Sequence, residues 1–97
     1  MKESTLETYL TNQVKKYDGL SLKFTSPNVK GVPDRIVIHD GHVYFVELKA
    51  PNGRLSKMQQ YMHKQFAKVG IEVFVLYDKP SVDEFIRENV ASLTRNA

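Results

Sequence analysis

An α/β fold with the element order αβββαβα is predicted by three features. The chain carries three Ser-initiated helix starts, four short runs rich in β-branched and aromatic residues, and an Asp-Gly pair joining two of those runs. The helix starts are Ser4-Thr5-Leu6-Glu7, Ser56-Lys57-Met58-Gln59 and Ser81-Val82-Asp83-Glu84. Each places Ser three residues ahead of Glu or Gln, the spacing at which the two side chains satisfy free N–H groups reciprocally. With 97 residues, 41% hydrophobic and 26% charged, residues 1–97 suit one domain with one core.

The first helix is expected to run to about residue 17, with Leu6, Tyr9, Leu10, Val14 and Tyr17 on one face. Strand-like runs follow at 21–25, 34–39 and 42–49, and Asp40-Gly41 turns the second into the third as a tight hairpin. The second helix is expected to bury Met58, Met62, Phe66 and Val69 and to stop at Gly70. A fourth strand at 71–77 then completes a βαβ unit, which implies a parallel pair. The last helix offers Val82, Phe85, Ile86 and Val90. One apolar stripe per helix suits helices that flank a mixed central sheet.

Some function classes drop out early. The absence of cysteine excludes disulfides and thiolate metal sites, and no apolar stretch is long enough to span a membrane, so a cytoplasmic location is expected. A net charge of +3 is compatible with a polyanionic partner without requiring one. No Ser or Cys nucleophile with a base partner is visible, nor a phosphate-binding glycine loop.

The chemistry concentrates at the strand ends. In the third strand Phe45, Glu47 and Lys49 share one face and Tyr44, Val46 and Leu48 the other. Both faces are apolar almost to the end, so the strand should be central, and a carboxylate there needs a partner or a cation. Lys49 is one candidate partner. A chance Glu-x-Lys occurs in about one chain in three of this length, so the triplet alone decides nothing. Asp34 decides more. Counted outward from Asp40-Gly41, Asp34 and Glu47 each lie six residues from the nearer turn residue and should face each other across the ladder. Two facing carboxylates are unfavourable without a cation, and hard oxygen ligands suit Mg²⁺ or Mn²⁺. Lys49 beside them could hold an attacking water or stabilise charge on a phosphoryl group. Gly31-Val32-Pro33 offers a turn that a phosphate backbone could approach.

Gly31, Pro33-Asp34 and, thirteen residues on, Glu47-Leu48-Lys49, set in αβββαβα, resemble the PD-(D/E)XK nuclease superfamily and specifically its VRR-NUC domain. The resemblance extends through Arg54-Leu55-Ser56, Gln59 and Gly70. It implies a divalent metal, Mg²⁺ or Mn²⁺, held by Asp34, Glu47 and the Leu48 carbonyl, with Lys49 acting on the water. Gln59 matches a glutamine near the family's site, although its place in a capping box gives it an equally good structural role. A glutamate of the first helix is also implied. Glu3 lies about 45° from the centre of the apolar stripe and Glu7 about 85°, at about 100° per residue, so Glu3 is favoured with Glu7 as the alternative. Gln13 also points inward and could line the site or bond locally.

Lys30, Arg35, Arg54 and Lys57 cluster in sequence around these residues, where phosphate contacts would fall, although a solvated rim predicts the same set. His39, His42 and His63 lack metal-ligand spacing and are expected on the solvated surface. The expected function is a metal-dependent DNA endonuclease. Similarity to the stand-alone archaeal junction resolvases implies a homodimer acting on four-way junctions. A monomer directed at flaps or duplex, a non-catalytic nucleic-acid-binding module and a partner-binding α/β domain are the alternatives.

Overall fold

The computed structural model describes residues 2–91. Its elements are α1 (Glu3–Lys15), β1 (Leu20–Lys23), β2 (Arg35–His39), β3 (His42–Leu48), α2 (Lys57–Lys68), β4 (Val73–Leu76) and α3 (Lys79–Phe85), the last continuing as a π-helical segment, Ile86–Ala91. The predicted order is therefore the observed one. The sheet runs β1-β2-β3-β4, antiparallel except for the parallel β3–β4 pair. Asp40 and Gly41 take positive φ, 49° and 78°, which lets a two-residue turn match the strand twist. His39 pairs with His42 and Arg35 with Val46, and the same register carried one step further brings Asp34 opposite Glu47.

The two sheet faces differ. Val37, Val46, Leu48 and Leu76 pack with Leu6, Leu10 and Val14 of α1 and with Val82, Phe85, Ile86 and Val90 of α3 and its extension. The opposite face carries α2, where Phe66 meets Phe45 edge-on at 5.1 Å. Contrary to expectation, α2 has no buried residue, and Met58 and Val69 are exposed.

Of the three expected capping boxes one forms, one shifts and one is absent. Only Ser56 and Gln59 form theirs. Helix α1 starts before Ser4, with Lys2 as N-cap and no side-chain cap, and Ser4 instead accepts from the Thr8 hydroxyl through its carbonyl. Helix α3 starts at Lys79 with Pro80 in its first turn, and its box is formed by Asp78 and Ser81. Ser81 is thus the reciprocating N3 residue, with Tyr77 and Asp78 N–H groups donating to its hydroxyl. At the far end of α2, Gly70 has φ 87°, and N–H groups of Gly70 and Ile71 donate to the Ala67 and Phe66 carbonyls in a Schellman close.

Candidate active site

Asp34 leads into β2 and Glu47 stands near the end of β3, so hairpin register alone brings them together. Leu48 N–H donates to Asp34 Oδ1 at 3.3 Å. Glu47 is only 2% exposed, and burial first, then the Asp34 charge, pushes its carboxyl up to about 8. Burial also raises Asp34. Two acidic groups held proton-hungry in one place form a site prepared for positive charge.

The Glu47–Lys49 salt bridge is not formed. Glu47 turns toward α2, where Gln59 Nε2 donates to Oε2 at 3.3 Å and His63 Nε2 lies 3.5 Å from Oε1. Lys49 still acts at a distance, its charge lowering the Glu47 pKa. Gln59 fills both roles left open by its position, since its Oε1 accepts from Ser56 N–H at 2.8 Å while its Nε2 reaches Glu47. Gly31 explains the geometry from the other side. Its φ is 87°, and a Cβ there would lie 2.4 Å from the Met58 carbonyl oxygen, so the loop before Asp34 rests against the first turn of α2 rather than opening toward solvent.

Glu3 and Glu7 separate clearly. The Glu3 charge raises both Asp34 and Glu47, whereas Glu7 pairs with Arg35 at 3.1 Å. Glu3 nevertheless stays exposed, and among the described residues no three acidic or histidine side chains come together closely enough to hold a metal ion. The donor set is a pair of carboxylates, with Oε1 of Glu47 buried and lacking a hydrogen-bond partner. That set fits Mg²⁺ or Mn²⁺, which take one or two carboxylates and fill the other positions with water and phosphate.

Three further expectations are corrected. Arg35 does not belong to a phosphate rim, because it is 7% exposed and held by Glu7, the Thr11 hydroxyl, and the Ser21 carbonyl and hydroxyl. His39 is buried, since strand alternation puts it on the same face as Val37. His63 is half-buried beside Glu47, which its spacing of four from Gln59 on one helix could have indicated. His42 is exposed as expected and stacks on Tyr44. Gln13 bonds locally, accepting from Lys16. Lys30, Arg54 and Lys57 are exposed, and Lys30 and Lys57 flank the Gly31–Met58 contact.

Residues 7–80 match the VRR-NUC domain family. The chain belongs to that family. VRR-NUC domains are nucleases of the PD-(D/E)XK superfamily. A protein of Acyrthosiphon pisum secondary endosymbiont phage 1, named "Putative nuclease p44", is 38% identical over 77 residues, covering 78% of this chain and 83% of its own. A solved VRR_NUC domain superposes with a TM-score of 0.82 at 29% identity, covering 90% of this chain and 96% of that one. The VRR-NUC match spans α1 from Glu7 through α2 and β4 to the start of α3, and so takes in every site residue named above except Glu3.

Proposed function

We propose that this VRR-NUC chain is a metal-dependent DNA endonuclease that hydrolyses phosphodiester bonds without a covalent enzyme intermediate. The observation that carries this reading is the pairing of half-buried Asp34 with buried Glu47 across the hairpin, with Lys49 two residues beyond Glu47. Asp34 and Glu47, with the Leu48 carbonyl, would hold Mg²⁺ or Mn²⁺. A divalent cation bound there would neutralise the carboxylates and supply Lewis acidity toward a phosphoryl oxygen. Lys49, with three ammonium donors on a flexible stem, can orient the attacking water and offset charge on the phosphoryl oxygens. Gln59 fixes Glu47. Of the two first-helix glutamates, Glu3 is assigned the supporting role, because Glu7 is committed to Arg35. Lys30, Arg54 and Lys57 supply phosphate contacts around the site.

The substrate is assigned as branched DNA, cut by a homodimer whose two sites make the paired nicks that a four-way junction requires. Support comes from the exposed Leu20 and Leu22 of β1 and Val43 of β3, which leave apolar side chains open on one sheet face. The test is single-turnover cleavage of labelled linear, flapped and four-way DNA with Mg²⁺, Mn²⁺ or EDTA, for wild type and for Asp34→Asn, Glu47→Gln and Lys49→Ala. Cleavage lost without metal and in each folded variant is the expected result. Wild-type rates in any of the three would overturn the site, and equal rates on junction and duplex would overturn the substrate.

A further inference from the structure

Helix α2 presents two side chains to Glu47 from successive turns, and only one has a formed hydrogen bond. Gln59 has its Oε1 engaged by Ser56 N–H, so its amide can offer Glu47 only Nε2, and it does so at Oε2. The other carboxylate oxygen, Oε1, is buried without a hydrogen-bond partner, and so is His63 Nε2, which faces it at 3.5 Å. An unmatched buried polar atom is unfavourable, and one bond between these two would satisfy both. Contacts of this kind are often long in the free protein and shorten when the site is loaded. Closing a few tenths of an ångström is enough.

We propose that His63 is a positioning residue for Glu47: with Gln59 it forms a two-pronged clamp, one donor per carboxylate oxygen, that fixes the rotation of the carboxylate toward the divalent cation. This rests on the metal-dependent reading above. The imidazole presents Nε2–H to Oε1 and touches neither the cation nor the DNA. It leaves the outward lone pairs of Glu47 for the cation. Both prongs belong to one helix, itself fixed by the Ser56–Gln59 box and by Gly31, so the orientation of Glu47 is set by α2 rather than by its own strand. Residues that hydrogen-bond a metal-ligating carboxylate alter metal affinity without contacting the metal.

The test is Mn²⁺ binding to the full chain by titration calorimetry, in parallel with circular dichroism. His63→Leu removes the donor. His63→Gln restores an N–H donor of similar reach. His63→Leu is expected to bind Mn²⁺ about 10–100-fold more weakly while remaining folded. His63→Gln should recover to within about threefold of wild type, and the KM for DNA should be unchanged in both. Should His63→Leu fail to fold, His63→Asn, polar but too short to reach Oε1, serves in its place with the same weakening expected. Wild-type affinity in the folded Leu or Asn variant overturns the clamp and leaves the nuclease reading standing. Equal weakening in His63→Leu and His63→Gln overturns the donor role. No Mn²⁺ uptake by the wild-type protein overturns the metal-dependent reading, and the clamp with it.

Discussion

Glu3 and Glu7 lie one turn apart on α1, and their environments assign them different work. Glu7 holds the buried Arg35 guanidinium, so Glu7→Gln should lower stability by about 1–2 kcal/mol in urea unfolding with little change in cleavage. Glu3 is exposed, and its charge reaches Asp34 and Glu47, so Glu3→Gln should slow single-turnover cleavage and leave the urea midpoint unchanged. The reverse pattern would exchange their roles. Glu47 itself sets a pH dependence. Its carboxyl is raised from 4.5 to about 8 in the fold, so in that interval the folded chain holds a proton that the unfolded chain has lost. The contribution is complete below about pH 4.5 and is lost as pH rises through about 8. His63, lowered by burial, works in the opposite sense near and below its ordinary 6.5. In EDTA, therefore, the thermal midpoint should fall between about pH 7 and 8.5, and the fall should be smaller in Glu47→Gln. A flat profile would mean that Glu47 is ionised throughout.

Among the elements, α2 depends most on contacts outside itself. Its N-terminus is fixed by the Ser56–Gln59 box and by the Gly31 backbone lying on Met58. Gly31→Ala would combine a left-handed φ with a Cβ 2.4 Å from a carbonyl oxygen. It should cost at least about 2 kcal/mol, read as a lowered urea midpoint, and should reduce cleavage by displacing Gln59 from Glu47. Gly41→Ala, where a Cβ meets nothing within 4 Å, carries the φ strain alone and should leave cleavage intact. The sequence revealed most at this scale, because strand runs and a two-residue turn fix register by counting, and register is what places Asp34 against Glu47. Helix starts were less legible. Near residue 78 an Asp, a Pro and a Ser compete to begin α3, and the choice depends on how β4 delivers the chain. Arg35 was illegible for another reason, since its partners Glu7, Thr11 and Ser21 lie 14 to 28 positions away and meet it only after α1 and β1 are packed.

At the scale of the whole molecule the sheet is unevenly covered. One face is closed by α1 and α3, while on the other Leu20, Leu22 and Val43 are 56%, 46% and 53% exposed. If this surface joins two protomers, Leu22→Lys should convert a particle of about twice 11.1 kDa into a monomer by light scattering and reduce junction cleavage more than nicking of a flap. A wild-type particle of 11.1 kDa at micromolar concentration would rule the dimer out. The same unevenness bears on motion. A helix with no fully buried residue opens locally at smaller free energy than the core, so amide hydrogens of α2 should exchange before those of α1, whose Leu6, Leu10 and Val14 are at most 1% exposed. Gln59 and His63 ride on that helix, so its local openings should part Glu47 from both neighbours. Anything that binds at the carboxylate pair would suppress those openings, and slowed exchange in α2 becomes a label-free record of when the site is filled.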